Sequence, residues 1–383
     1  MIYMDNAATT FPKPEKVYEQ MDKFYRQYGV NVGRGQHNLA SKASRLVQET
    51  RIKLKTLFNC KPEHEVIFTP SATEAINIIL QGLTYNYDET IYITHFEHNG
   101  VLRTLNHLQE KYNLQIEYIP IDKESLSYDL EEIKYKFQEK RPSKVILNHA
   151  SNVCGLITPI GEITKLAKAY NAEIIADCAQ TAGLLEIDLV ADKVDFLIFA
   201  GHKTLYGPLG ASGFIMERSK ALRPLMYGGT GVESANPKLP KKLPDKFEVG
   251  SINIHAISGL NAALRFIEET GIQNIRKKEK KLTLKAIETL KKHREIKLYT
   301  PDDIENQVGI ISFNIPGYSA DIIGNFLNEN EIAVRTGLQC APQAHKFLGT
   351  DPAGTVRIGL SYFNNLADIE QLDNVLEELL LEI

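Results

Sequence analysis

Three side chains in this sequence are best suited to chemistry: a lysine, an aspartate and a cysteine, far apart along the chain. Lys203 follows the apolar run "VDFLIF" in "AGHKTLYGPLG". A charged amine at the end of a buried strand is costly. Burial lowers its pKa, and a neutral amine can form a Schiff base with a carbonyl compound. Taken alone, the motif also fits an ordinary loop lysine. Asp177 ends the run "EIIAD", 26 residues upstream. A carboxylate beside a pyridine nitrogen keeps that nitrogen protonated and makes the ring an electron sink. An aspartate in that position can equally cap a helix. Cys340 lies in "GLQCAPQAH", with Gly337 before it and Pro342 after it. Its sulfur is either packing or a nucleophile, and only a neighbouring site can decide which.

A strand-end aspartate followed by a strand-end lysine points to pyridoxal phosphate. The phosphate needs donors. In "PSATEAIN" small residues precede a helical pattern, so the free N–H groups of a helix N-terminus could hold it, with the Thr73 hydroxyl adding a bond. A plain Ser71 or Thr73 N-cap is the alternative. His202, beside the lysine, adds another donor. "HFEHN" places His95 and His98 around Glu97. No third ligand accompanies them, so no metal is expected, and His98 is the better candidate for stacking on a flat ring. Arg357, in "TVRIGLS", alternates with apolar neighbours, and an inward-facing guanidinium suits an amino-acid carboxylate or a structural ion pair.

Seven apolar segments must position these groups: "EVIFT", "TIYIT", "QIEYI", "KVILN", "EIIAD", "VDFLIF" and "SGFIM". Helical patterns such as "ITKLAKAY" separate several of them. That alternation predicts a mainly parallel seven-stranded sheet covered by helices, which binds ligands beyond its carboxyl strand ends. Five of those ends run into polar clusters, which makes one pocket a better account than five unrelated loops. After about residue 266 the pattern changes to a smaller α+β unit with strands "GIISFNI", "IAVRT" and "TVRIGLS" and a last amphipathic helix. The expected division is a large domain over 13–266 and a small one formed by 1–12 and 267–383.

The 383 residues exceed one small core, and 43% hydrophobic with 24% charged residues is ordinary for a globular protein. The formal charge of −4 offers no field for nucleic acid. The basic run "RKKEKKLTLKAIETLKKH" has apolar residues at helical spacing and is expected to be a solvated helix face. No apolar stretch has the roughly 18 residues of a membrane span. The N-terminus lacks a signal pattern, so a cytoplasmic place is expected. Cys60, Cys154, Cys178 and Cys340 form no Cys-x-x-Cys pair and are expected to be free.

"MDNAATTFPKP", "NVGRGQHNLA", "SATEAIN", "DCAQTAG", "GHKTLYGPLG", "FEVGSIN", "VRTGLQCAP" and "TVRIGLSYFN" resemble, in order and spacing, the cysteine desulfurases of the class V aminotransferase group, and are most similar to the SufS-like branch. The resemblance covers essentially the whole chain and implies the fold type I of pyridoxal phosphate enzymes. It implies that Lys203 holds the cofactor covalently, Asp177 pairs with the pyridine nitrogen, Gln180 with the ring hydroxyl, and His98 stacks on the ring. Ala72, Thr73 and His202 would hold the phosphate, with Ser251 reaching it from a second subunit of a homodimer. Asn152 and Arg357 would fix the carboxylate of L-cysteine. Lys203 would act as general base, and Cys340 would take the sulfur as a persulfide for an acceptor protein or small thiol. Selenocysteine lysis, another C–S lyase reaction or an amino-acid epimerase is the alternative on the same scaffold; a non-catalytic cofactor-binding protein is the alternative outside it. Three positions depart from the family pattern: Ala200 where Ser or Thr is usual, Gln339 where His is usual, and Gly33 where some relatives carry His. A glutamine cannot ionise the neighbouring thiol, so another group must.

Overall fold

The computed structural model describes residues 1–32 and 37–382. Gly33 lies outside the described residues. The chain opens with β1 (Ile2–Tyr3), α1 (Glu15–Tyr28) and α2 (Asn38–Leu57). The seven expected strands follow as β2 (His64–Thr69), β3 (Thr90–Ile93), β4 (Gln115–Tyr118), β5 (Lys144–Asn148), β6 (Glu173–Asp177), β7 (Phe196–Phe199) and β8 (Ser212–Glu217). Between them run α3 (Ala72–Gly82), α4 (Asn99–Tyr112), α5 (Leu130–Glu139) and α6 (Ile160–Lys168), and α7 (Ile254–Thr270) comes after the last strand. The strands form one sheet in the order β2-β8-β7-β6-β5-β3-β4. Only β8 runs antiparallel to its neighbours, β2 and β7.

These strands read as continuous apolar runs because both faces of the sheet are covered. Val145 and Leu147 pack into the core on one face, and Ile146 packs into the core on the other. The same alternation places Ile174 and Ala176 opposite Ile175, and Leu197 and Phe199 opposite Ile198. In the order of the parallel strands, the chain reverses direction between β3 and β5. Such a reversal leaves a crevice at the carboxyl ends.

The second unit is α8 (Ile272–Lys292), β9 (Lys297–Tyr299), β10 (Ile310–Asn314), α9 (Ala320–Glu329), β11 (Ile332–Ala333), α10 (Pro342–Leu348), β12 (Val356–Gly359) and α11 (Leu366–Glu382). Its sheet, β12-β10-β9, is antiparallel. β11 is not part of it: its two residues pair in parallel with β1. Met4 packs into the core of this unit beside Ile311, Phe313 and Ile358. Strand β9, in a charged stretch, carries no apolar run and was not foreseen. The basic run forms α8, which buries Ile275, Leu282, Ala286 and Leu290 on one face. The expected domain boundary at 266/267 falls inside α7. Among the described residues no helix is long and apolar enough to cross a membrane.

Candidate active site

Beyond the carboxyl ends of β2, β3, β5, β6 and β7 lies a cavity of about 230 Å³. Its walls include Ala72, Thr73, His98, Asn152, Asp177, Gln180, His202, Lys203, Cys340 and Arg357, which the sequence assigned to one site. The five polar strand ends therefore do converge. Ser251 is not among the lining residues; it is exposed, and its hydroxyl accepts a bond from Asn31 Nδ2 at 3.2 Å.

Two helices present their N-termini here. Ser71 caps α3 by accepting the Glu74 N–H at 3.2 Å. The first N–H groups of that helix, at Ala72 and Thr73, have no bond to any described residue and are available to an anion. His98 caps α4, its Nδ1 accepting the Gly100 N–H at 3.0 Å. That bond leaves the proton of the neutral ring on Nε2. Burial, then the Lys203 charge, lowers the His98 pKa, and burial brings His202 down to about 4, so both rings are neutral near pH 7. The other histidine of the pair, His95, lies outside the cavity, stacked between Tyr118 at 4.5 Å and Phe347 at 4.4 Å.

Lys203 follows a turn that only glycine permits: a Cβ on Gly201 would lie 1.9 Å from the Ala211 carbonyl. Burial lowers the Lys203 amine to about 8, with the Asp177 charge opposing the shift. Among the described residues the amine has no hydrogen-bond partner. The loop is closed by the Tyr206 N–H, which donates to the Lys203 carbonyl at 2.8 Å. Tyr206 is buried with a left-handed φ of 58°, and its hydroxyl donates to Glu279 of α8 at 3.0 Å. Asp177 is buried, and its carboxylate accepts the Ala179 N–H at 3.0 Å. Gln180 Nε2 donates to the Ala7 carbonyl at 2.9 Å.

Cys340 comes from the other unit. Gln339 and Cys340 both adopt left-handed backbone, with φ of 40° and 59°. The segment after β5 and the start of α4 hold them in place: the Gln339 carbonyl accepts Asn152 Nδ2 at 2.6 Å, and the Cys340 carbonyl accepts the Asn99 N–H at 2.8 Å. Gln339 Nε2 donates to the Thr355 carbonyl at 2.8 Å, and its Oε1 accepts the Thr355 hydroxyl at 3.3 Å. The glutamine thus serves as a two-way clamp on the turn before β12. Arg335 Nη2 lies 3.6 Å from Cys340 Sγ, a cation beside the sulfur. Burial pushes Cys60 to about 12 and raises Cys154 and Cys178, so those three stay thiols.

Arg357 is 2% exposed. Its Nη2 donates to Asp5 at 2.7 Å and its Nη1 to the Asn152 carbonyl at 2.9 Å. Asp5, Arg335 and Glu97 were missed by sequence reasoning. Arg335 had a signal, since it sits in the same segment as Cys340 and pairs backbone to backbone with Arg357. Glu97 had one too, as a carboxylate between two histidines. It is fully buried under the site, its Oε1 accepting the Thr94 hydroxyl and the Asn148 N–H, both at 2.8 Å. Burial, with a smaller contribution from Asp177, pushes Glu97 up to about 8. Asp5 had no usable signal, because its partner lies 352 positions away.

Four cavity-lining polar atoms, His202 Nδ1, Asn148 Oδ1, Asn152 Oδ1 and Arg357 Nε, are buried with no hydrogen-bond partner among the described residues. With an unpaired amine, a buried carboxylate and an open helix N-terminus, they suit a small anionic group bearing an aldehyde and a basic ring nitrogen. The residues present fit the cofactor expected from the sequence.

The chain matches the aminotransferase class-V family model over residues 2–372. It is 35% identical to a probable cysteine desulfurase of Pyrococcus abyssi, over 99% of this chain and 94% of that protein. It is 30% identical to a cysteine desulfurase of Shigella sonnei, over 97% of this chain and 91% of that protein. It superimposes on the apo structure of cysteine desulfurase from Thermococcus onnurineus with a TM-score of 0.92 and 33% identity, covering 100% of this chain and 95% of that one. A family match of this length and a fold shared from end to end mean that the chain belongs to the aminotransferase class-V family, and within it to the cysteine desulfurases.

Proposed function

We propose that this chain removes sulfur from L-cysteine, leaves L-alanine, and holds the sulfur as a persulfide on Cys340. The observation that carries this reading is that Lys203 and Cys340, from different units, line one cavity. Lys203 would hold pyridoxal phosphate covalently, with Asp177 at its ring nitrogen, Gln180 at its ring hydroxyl and His98 on its face. Ala72, Thr73 and His202 would hold its phosphate. When bound, the cofactor supplies an electron sink for the bonds at the substrate Cα. Arg357 would bind the substrate carboxylate, assisted by Asn152, whose Nδ2 already holds the Cys340 loop. An amine lowered to about 8 suits Lys203 to take and return a proton near neutral pH. The Cys340 sulfur, with the Arg335 guanidinium beside it, attacks the substrate sulfur. The substrate C–S bond breaks, an S–S bond forms, and the proton balance closes with one alanine and one persulfide. A protein or small-thiol acceptor then takes the sulfane sulfur.

A homodimer fits the exposed apolar run Leu225, Met226, Tyr227 and Val232, with Tyr227 75% exposed. Ser251 would reach the phosphate of the partner across that contact. The core around Met4, Leu282, Phe313 and Ile358 supports a smaller unit formed by 1–12 and 267–383 beside 13–266, and Ala7, Ile267, Ile275, Val308 and Ile310 tie it to the large core. Four free cysteines suit the reducing cytoplasm. The test is mass spectrometry of the protein after incubation with cysteine and without reductant. One added sulfur on the Cys340 peptide, absent in Cys340→Ser, supports the reading; unchanged sulfide release by Cys340→Ser would sink it.

A further inference from the structure

The segment from Tyr3 to Lys13 reaches both the lysine loop and the arginine strand. The Thr9 hydroxyl, the Thr10 N–H and Lys13 Nζ all donate to the His202 carbonyl, at 3.0, 3.1 and 2.6 Å. The Thr10 hydroxyl donates to the Lys203 carbonyl at 3.0 Å. Nearer its start, Asn6 Nδ2 donates to the Gly359 carbonyl at 2.8 Å, fixing the segment to the end of β12. Between these anchors Asp5 takes Arg357 Nη2 at 2.7 Å.

Asp5 does not line the cavity, whereas Arg357 does. A buried guanidinium needs a partner, because its charge is otherwise uncompensated. Its long side chain also needs fixing before its planar fork can meet a carboxylate in both N–H directions. Asp5 and the Asn152 carbonyl take one donor on each terminal nitrogen, and Nε has no partner. Donors therefore remain for a second carboxylate.

We propose that Asp5 is a positioning residue that holds the Arg357 guanidinium in the orientation that receives the α-carboxylate of the substrate, so that the N-terminal segment sets the carboxylate selectivity of the site. The inference rests on the reading that Arg357 binds that carboxylate. Asp5 fixes the angle of the fork, and the same segment fixes the backbone of Lys203. The distance between carboxylate recognition and the amine is thereby set by one short stretch of chain.

The test compares two ligands on the holoenzyme, followed by the cofactor's absorbance. L-Alanine carries the amine and the carboxylate; ethylamine carries the amine alone. Arg357→Ala is expected to abolish the preference for L-alanine, which checks the parent reading. Asp5→Ala is expected to weaken L-alanine about tenfold or more, equal to about 1.4 kcal/mol, and to leave ethylamine within about twofold. Asp5→Asn, which keeps an acceptor oxygen, is expected to recover L-alanine binding to within about threefold. Asp5→Glu, one methylene longer, is expected to weaken L-alanine as well, and it carries the test if the alanine variant does not fold. Thr10→Val, at the other anchor, is expected to lower kcat and leave the preference intact. If Arg357→Ala destroys the preference while Asp5→Ala and Asp5→Glu keep it, the positioning role is overturned and the parent reading stands. If Arg357→Ala keeps it, both fall. Equal losses for both ligands in Asp5→Ala would mean general loosening and would also overturn the proposal.

Discussion

The lysine loop and the cysteine loop each bring one reactive side chain to the same cavity, and they do so by different physics. Lys203 emerges from a strand buried on both faces, and its amine is tuned by what is absent: no described partner, little water, and so a proton held loosely at about 8. Cys340 emerges from a turn at the edge of the smaller unit, and its sulfur sits beside a cation, Arg335 at 3.6 Å. Desolvation favours the neutral form of an amine, which is its nucleophile. It also favours the neutral form of a thiol, which is not. Cys60, pushed to about 12 by burial, shows what a dry pocket does to a thiol. One cavity thus gives its amine a buried setting and its sulfur a cationic neighbour.

The comparison breaks most sharply at its two ends. Lys203→Ala is expected to reduce alanine formation by about a thousandfold or more, since proton transfer and cofactor attachment go together. Alanine production from cysteine is the readout, and retention of more than about a tenth would refute the general-base role. Cys340→Ser is expected to lose the persulfide and about a hundredfold of sulfide release, while substrate still binds with the wild-type spectral change. An intermediate effect is expected from Gln339→Ala. It removes two bonds to Thr355, each worth about 1 kcal/mol, so persulfide formation should slow about tenfold with the KM for cysteine little changed. A matched loss in KM would show that the clamp serves the carboxylate site instead.

A different effect, on stability rather than rate, is expected under the site. Glu97 is raised from 4.5 to about 8, so the folded chain holds its proton more tightly than the unfolded one. That contribution is fully present below pH 4.5 and is lost as pH rises to about 8, tilting stability downward by up to about 1.4 kcal/mol per pH unit. Glu97→Gln should flatten that tilt. Denaturant unfolding at pH 5, 6.5 and 8 measures it, and parallel curves for the two proteins would contradict the assignment.

The large sheet was legible in the sequence because strands covered on both faces leave unbroken apolar runs. The small unit was less so. β9 carries lysine at its start and an edge-strand composition, and β1 has two residues, below any periodic signal; β11 was read within "IAVRT", but its pairing with β1 was not. Site residues that follow strand ends were found because strand ends can be located. Asp5 and the clamp made by Gln339 were not, since their roles exist only through partners supplied by folding. Gln339 shows the limit most clearly. Read against a family pattern it is a histidine lost; in place it uses both ends of its amide, and the cation beside the sulfur is Arg335 instead.

Tyr206 carries a consequence for sequence change. A bulky residue in left-handed backbone costs about 1–3 kcal/mol unless its surroundings hold it there. Here Phe266 and Phe363 pack edge-on against its ring, and Glu279 takes its hydroxyl. Replacing the tyrosine by phenylalanine would leave a buried carboxylate short of a donor; replacing the glutamate would orphan the hydroxyl. Neither position can drift alone, and with them drifts or stays the turn three residues after the lysine. In substitution space, helix α8 and the lysine loop are a single site written in two places.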